Sequence, residues 1–279
     1  MNSQYQIIDL LGQGQFGRVF RAVHIPTGRL VALKELEKKR FPTYKFLREL
    51  QFLTKLQHPN IIGCQAIEHT EEGRYLVLDY WNRGDLRHFM QSNHSLSLIQ
   101  SLKIITDVLS GLEYAHSCGV VHCDIKPENI LLHQNETGWI ACLADFGIAR
   151  LSQENYPQIN LGSPAYMAPE QFYGQFLPAS DLYAVGVVLY EMLLSSRPFS
   201  GSPGELMSAH LTQSAKLPNT IPFLIRSIIS TALQKLPTRR FSSATEMLKS
   251  VQLALVIEQN LTTTEKKPQP ALKFKEFAF

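Results

Sequence analysis

The pattern of apolar and polar positions divides the chain into a β-rich first part and a helical second part. Short runs rich in β-branched and aromatic residues predict five strands, at 5–11, 18–24, 29–36, 61–69 and 74–80. From about residue 96 the apolar spacing becomes mainly helical. The stretch WNRGDL, with its Asn and Gly, suits an irregular connection between the two parts.

One helix is predicted inside the β-rich part, over residues 43–57. Its apolar positions fall on one stripe, at Phe46, Leu50, Leu53 and Leu56. Glu49 lies within the same arc, so its carboxylate turns inward and needs a cationic partner. Lys34, the charged end of an otherwise apolar strand, is the nearest candidate in chemistry.

Composition limits the classes of protein to consider. The 279 residues are 44% hydrophobic, which is enough for one large or two small domains. A net charge of +3 without clustered Lys or Arg argues against a nucleic-acid partner. The longest apolar run, AVGVVLYEMLL, is about half a membrane span, and the chain start shows no signal peptide. Four cysteines without C-x-x-C spacing favour the reducing cytoplasm over a zinc site or a disulfide framework.

The stretch LGQGQFGRVF contains Gly12, Gly14 and Gly17 in the spacing G-x-G-x-x-G, which lets a backbone approach phosphates closely. A dinucleotide-binding unit needs a long helix directly after the glycines, and the following β-branched run with Pro26 leaves no room for one. A P-loop needs Lys and Ser or Thr where this chain has Arg18 and Val19. By itself the motif also fits an ordinary glycine-rich turn.

Polar, chemically active residues concentrate in two later stretches. VHCDIKPENILL places His122, Asp124, Lys126 and Asn129 within eight residues, and LADFGIA adds Asp145 before a glycine. With these residues the chain resembles a protein kinase of the Hanks-type serine/threonine class, over about residues 5–255. The motifs occur in kinase order: GQGQFGRV, VALK, Glu49 before HPNI, HCDIKPEN, DFG, SPAYMAPE, SDLYAVGVVLYEML and PTRRF.

The resemblance implies an α+β, two-lobed fold. The small lobe would be an antiparallel β-sheet with one helix, over about residues 1–80, and the large, mainly helical lobe would cover about 84–255. Residues 256–279 would be a tail or linker. Within that tail, FKEF is similar to a motif with which some kinases clasp their own small lobe, although a frayed terminus explains it as well.

The resemblance also implies roles in phosphoryl transfer from ATP to protein Ser or Thr hydroxyls. Asp124 would accept the proton of the substrate hydroxyl, and Lys126 would steady the transferred phosphate. Asn129 and Asp145 would hold Mg²⁺, with Mn²⁺ as an alternative metal.

The nucleotide site follows from the same resemblance. Lys34, paired with Glu49, would hold the α- and β-phosphates. The other residues implied in nucleotide binding are the three glycines above the phosphates, Val19, Ala32 and Leu131 around adenine, the gatekeeper Leu78, the hinge residues Asp79 and Trp81, and Asp85 at the ribose.

Three further matches concern the serine/threonine branch and the scaffold. Ser163 matches the hydroxyl that contacts the catalytic Asp and Lys in such kinases. Glu170 and Arg240 match a structural ion pair, and Asp181 matches a residue that braces the catalytic loop.

Cys123 is a departure from the pattern, because many kinases have an arginine there that binds a phosphate on the activation loop. We therefore predict that loop phosphorylation is not required for activity. The alternative to an active kinase is a pseudokinase scaffold that binds nucleotide or partners without catalysis. Such scaffolds commonly lack the equivalents of Lys34, Asp124 or Asp145, and all three are present. Asp85 and Glu128 suggest a preference for basic residues in the substrate peptide.

Overall fold

The computed structural model describes most of the chain, with several gaps. The residues described are 4–14, 17–36, 50–69, 74–92, 96–136, 138–146, 149–151 and 162–265. Glu49, the central part of the activation loop and the FKEF stretch lie outside these ranges.

An antiparallel sheet forms the N-terminal lobe and confirms the predicted strands. The strands are β1 (Tyr5–Gly14), β2 (Gly17–His24), β3 (Arg29–Leu36), β4 (Cys64–His69) and β5 (Arg74–Asp79). Their order in the sheet is β1-β2-β3-β5-β4. Alternation along β3 buries Val31 and Leu33 on one face, with Tyr75 and Val77 of β5 beside them. The opposite face carries Lys34 toward the C-terminal lobe.

The predicted strand at 61–69 begins at Cys64, three positions later than the sequence suggests. Ile61 and Ile62 instead join the two lobes, since the amide of Ile62 donates to the carbonyl oxygen of Leu143 at 2.8 Å. The side-chain amide of Asn60 adds a second link, to the carbonyl oxygen of Ala141 at 2.9 Å. These bonds fix the sheet against the other lobe on one side of the cleft.

The helix predicted over 43–57 is described only for residues 50–55 (α1). Leu53 and Leu56 are buried there, as the apolar stripe requires, and Phe52 is buried with them. Phe46 and Glu49 of the same prediction lie outside the described residues.

Helices dominate the C-terminal lobe, which confirms the predicted two-lobed α+β class. They are α2 (Leu86–Gln91), α3 (Leu98–Ser117), α4 (Pro178–Leu194), α5 (Pro203–Thr212), α6 (Phe223–Ala232) and α7 (Ala244–Glu265). Four short strands lie among them: β6 (Val120–Val121), β7 (Ile130–Asn135), β8 (Gly138–Leu143) and β9 (Arg150–Leu151). The β7–β8 hairpin supplies the floor of the cleft beneath the N-terminal sheet.

Helix α4 contains the longest apolar run of the sequence and is the central helix of this lobe. Every residue from Ser180 to Met192 is buried, so the run is explained by burial on all sides. Gly186 allows α6 to approach closely, since a Cβ at this position would lie 2.7 Å from the Cβ of Ala232. No helix in the described part of the chain is both long and apolar enough to span a membrane.

Helix α7 runs through Glu265, beyond the boundary predicted at residue 255. Residues 256–265 contain neither Gly nor Pro, so nothing in the local sequence ends the helix at 255. The side chains of this extension are largely exposed, including Val256, Ile257 and Leu261. The segment therefore adds helix to the lobe but little to its core.

Candidate active site

A cavity of about 860 Å³ lies between the N-terminal sheet and the C-terminal lobe. Its wall contains most residues that the sequence implicates in nucleotide and metal binding: Gly12, Val19, Ala32, Lys34, Leu78, Asp79, Trp81, Asp85, Asn129, Leu131 and Asp145. Gly14 and Gly17 instead pair with each other at the tip of the β1–β2 hairpin. Gly17 has a φ of +146°, a conformation that side chains other than glycine rarely adopt.

Lys34 connects the sheet to the far side of the cavity. It pairs in register with Val19 of β2 and Leu76 of β5, so the sheet fixes its backbone. Its Nζ lies 3.2 Å from Oδ1 of Asp145. The Lys34 ammonium holds the pKa of the Asp145 carboxyl below its ordinary value, so the carboxylate is charged at neutral pH. The predicted partner Glu49 lies outside the described residues.

Asp145 has an unusual backbone conformation, with a φ of +63°. Non-glycine residues seldom adopt this left-handed region, and where they do the surrounding structure must stabilise it. The next residue, Phe146, is fully buried, and its ring centroid lies 4.7 Å from that of His122. The buried ring anchors the residue after Asp145, and Asp145 itself lines the cavity.

Asp124 is held by hydrogen bonds from three directions. Its Oδ2 accepts from Lys126 Nζ at 2.7 Å and from Asn129 Nδ2 at 3.2 Å. Its Oδ1 accepts from the backbone amide of Ser163 at 3.1 Å. Lys126 Nζ also donates to Ser163 Oγ at 3.0 Å, which closes a triangle of contacts between Asp124, Lys126 and Ser163.

Buried Asp181, at the start of α4, fixes the loop that carries Asp124. Its two carboxylate oxygens accept from the backbone amides of His122 and Cys123, each at 2.9 Å. Oδ2 also lies 2.9 Å from Nε2 of His116 on α3. These contacts stabilise Cys123 at a φ of +71°, directly before Asp124. His116 is a partner that the sequence pattern did not reveal.

The chain matches the family model described as "Protein kinase domain" over residues 5–252. The chain belongs to the protein kinase family. The family model covers both lobes and every kinase motif from GQGQFGRV to PTRRF, so the resemblance seen in the sequence is confirmed.

Curated relatives of this kinase are named as serine/threonine kinases. It is 31% identical to the probable serine/threonine-protein kinase PknB of Lactococcus lactis, over 89% of this chain and 41% of that protein. It is 32% identical to PkaA of Streptomyces coelicolor, over 87% of this chain and 48% of that protein. It is 34% identical to pkn3 of Myxococcus xanthus, over 86% of this chain and 48% of that protein. The chain thus spans about half the length of these relatives.

Asp85, predicted at the ribose of the nucleotide, has a structural role in this kinase as well. Its Oδ1 accepts from the backbone amide of His88 at 2.7 Å and so caps α2. It also forms an isolated β-bridge with Leu131, across the cavity floor. The carboxylate therefore lines the cavity with one of its oxygens already engaged.

Glu170 and Arg240 form the ion pair that the sequence match implies. Both terminal nitrogens of Arg240 donate to the Glu170 carboxylate at 2.7 Å, and the Arg240 side chain is fully buried. Ser180 Oγ donates to Glu170 at 2.6 Å. The pair ties the segment after Ser163 to the start of α4 and to the loop before α7.

Proposed function

We propose that this kinase domain transfers the γ-phosphoryl group of ATP to Ser and Thr hydroxyls of proteins. The observation that carries the proposal is the triangle of Asp124, Lys126 and Ser163 beside a cavity that contains Lys34, Asn129 and Asp145. A base, a cation and a pair of metal-binding oxygens within one cleft match the needs of phosphoryl transfer.

In the proposed reaction the Asp124 carboxylate takes the proton of the substrate hydroxyl. The hydroxyl oxygen forms a bond to the γ-phosphorus, the bond between that phosphorus and the β,γ-bridging oxygen breaks, and ADP leaves with its electron pair. Lys126 Nζ, 2.7 Å from Asp124, lies where it can neutralise charge on the transferred group. Lys34 would hold the α- and β-phosphates from the opposite wall.

The cavity provides ligands suited to Mg²⁺. The side-chain nitrogen of Asn129 donates to Asp124, which leaves its Oδ1 as the ligand atom. Asp145 supplies a carboxylate whose pKa is lowered by Lys34. One carboxylate and one amide oxygen, together with nucleotide phosphates, would form the oxygen-rich site that Mg²⁺ prefers, and Mn²⁺ accepts similar ligands. The bound metal would neutralise charge developing on the phosphates.

The metal assignment can be tested by nucleotide binding. We expect ATP to raise the unfolding temperature more with Mg²⁺ than with EDTA, since the metal joins the phosphates to the protein. Asp145→Asn should abolish the Mg²⁺-dependent part of the increase, whereas Asp9→Asn, at an exposed carboxylate on β1, should leave it intact. A full Mg²⁺-dependent shift in Asp145→Asn would remove Asp145 from the metal site.

The adenine ring would lie between Ala32 and Val19 above and Leu131 below. Ala32 is buried and small enough to leave room for a flat ring, and Leu78 lines the same cavity. The hinge residues from Asp79 to Trp81 offer backbone groups for adenine at the edge of the cavity. This arrangement supports ATP as the phosphoryl donor.

The pseudokinase alternative is disfavoured by the same contacts. A scaffold has no need for an intact Lys34–Asp145 pair or for a base held by three donors. Because these groups are present and joined by hydrogen bonds, we propose an active enzyme.

We also propose that activity does not require a phosphate on the activation loop. Cys123 is buried, its amide is bonded to Asp181 and its Sγ lies 3.4 Å from the carbonyl oxygen of Val121. Position 123 therefore supplies no cation that a loop phosphate could bind.

Phosphatase treatment provides the test. After removal of all phosphate, checked by intact mass, the initial rate of phosphoryl transfer should stay within about twofold of the untreated rate, since no arginine at position 123 depends on that phosphate. Ser152 and Tyr156 are the loop hydroxyls to monitor, and they lie outside the described residues. A loss of about tenfold or more would show that loop phosphorylation is required.

A further inference from the structure

Arg87, on the first turn of α2, belongs to none of the sequence motifs described above, but it makes four polar contacts. Its Nε lies 2.9 Å from Oε1 of Glu128, and its Nη1 lies 2.9 Å from Oε1 of Glu191. Its Nη2 donates to Glu191 Oε2 at 3.2 Å and to the hydroxyl of Tyr166. One guanidinium thus joins α2, the catalytic loop, α4 and the segment after Ser163.

The cluster keeps a net negative charge although Arg87 is inside it. One guanidinium faces two carboxylates, so the sum is minus one. Tyr166 stays neutral, because burial and its hydrogen bond to Glu191 raise the pKa of the phenol. The Glu191 side chain is 7% exposed and that of Glu128 is 43% exposed. Without Arg87, the exposed Glu128 carboxylate and the nearly buried Glu191 carboxylate would both lose this cation.

This cluster lies beside Asp124, the proposed base for the substrate hydroxyl. Glu128 follows Lys126 by two positions, and the amide of Tyr166 donates to the carbonyl oxygen of Ser163 at 2.8 Å. Ser163 in turn contacts both Asp124 and Lys126. A peptide that delivers its hydroxyl to Asp124 must therefore pass close to Glu128.

We propose that Arg87 is a specificity-determining residue that occupies an anionic subsite of the peptide groove in place of a basic substrate residue. The proposal rests on the proposed kinase function and concerns the substrate class of the same site. It replaces the expectation that Asp85 and Glu128 favour basic peptides: Asp85 caps α2 and Glu128 is paired with Arg87. The native enzyme then gains little from a basic substrate residue at the position that reaches Glu128.

The test compares acceptor peptides in which Arg or Ala is scanned through each position around one Ser. For the native enzyme, kcat/KM should differ by less than about threefold between Arg and Ala at every position, as expected for a subsite already filled. Arg87→Ala should raise this Arg/Ala ratio by about tenfold at one position, because the exposed Glu128 carboxylate then loses its cation and can pair with a substrate Arg. Arg87→Lys should keep the native ratio.

Two further variants separate specificity from stability. In the Arg87→Ala background, Glu128→Gln should return the ratio toward the native value. Lys249→Ala, which removes an exposed positive charge on α7, should leave the ratio unchanged. The ratio is measured within one variant, so a loss of active protein through poor folding does not move it.

Two results would overturn the proposal: a native preference for Arg above about tenfold, or an unchanged ratio in an active Arg87→Ala variant. The peptide scan with the native enzyme tests the proposal even if the Arg87→Ala variant does not fold. If the native chain phosphorylates no peptide and no protein, the proposed function itself fails, which is a distinct outcome.

Discussion

Asp124→Asn is expected to lower kcat for phosphoryl transfer by about a thousandfold, the size of effect typical of removing a general base. The amide that replaces the carboxylate cannot accept the proton of the substrate hydroxyl. Asn keeps the shape of Asp, but its single oxygen can accept from Lys126 or from the Ser163 amide and not from both. The loop should remain in place because Asp181 accepts from the backbone amides of His122 and Cys123. Steady-state rates, with the affinity for MgATP measured in parallel, provide the check.

The control for this prediction is Asp9→Asn. Asp9 lies on β1, paired with Arg21, and its charge is exposed. Its replacement should leave kcat within about twofold of the native value, as is usual for exposed positions. If Asp124→Asn retained more than about a tenth of native kcat with unchanged nucleotide affinity, Asp124 would not be the base.

Arg240→Met should reduce the free energy of unfolding by about 4 kcal/mol, because it removes one partner of a fully buried ion pair. The Glu170 carboxylate would then keep only Ser180 Oγ among its side-chain donors in the described structure. The carbonyl oxygens of Gln234, Ala179 and Lys235 would also lose the hydrogen bonds that Arg240 provides. Denaturant unfolding of the purified domain measures the change.

A double-mutant cycle identifies the origin of this loss. Glu170→Gln combined with Arg240→Met should cost less than the sum of the two single changes, because the uncompensated buried charge is absent. Strict additivity, or a loss below about 1 kcal/mol in Arg240→Met alone, would mean that the pair does not stabilise the lobe.

Short sequence patterns predicted the parts of the fold that neighbouring residues determine, such as strands and the turns beside them. The observed bounds of β3, 29–36, agree with the prediction, because a short apolar run after a Pro-Thr-Gly turn marks the strand. Residues 256–265 fall in the predicted tail because the end of the chain, with TTTEKKPQP, has the composition of a linker. Helix α7 nevertheless continues through them, because they extend a helix already packed on α3 and contain no Gly or Pro.

The arrangement of the site depends on contacts that no local pattern contains. The motif spacing brought Asp124, Lys126 and Asn129 together, since they lie on one short loop. The partner of Glu128 could not be found in the same way, because Arg87 lies 41 residues away in the sequence. Glu191, the second partner of Arg87, lies 104 residues from Arg87. His116 likewise reaches Asp181 only through the packing of α3 on α4. Charge patterns alone therefore predicted a preference for basic substrates without including the ion pair between Arg87 and Glu128.

The central claim is that this chain transfers phosphate from ATP to serine and threonine. The most direct measurement incubates the purified chain with γ-labelled ATP, Mg²⁺ and a generic protein acceptor, and then identifies the labelled amino acid after acid hydrolysis. The account predicts label in phosphoserine or phosphothreonine, and none with Asp124→Asn. Label confined to phosphotyrosine, or no label while MgATP still binds, would contradict it.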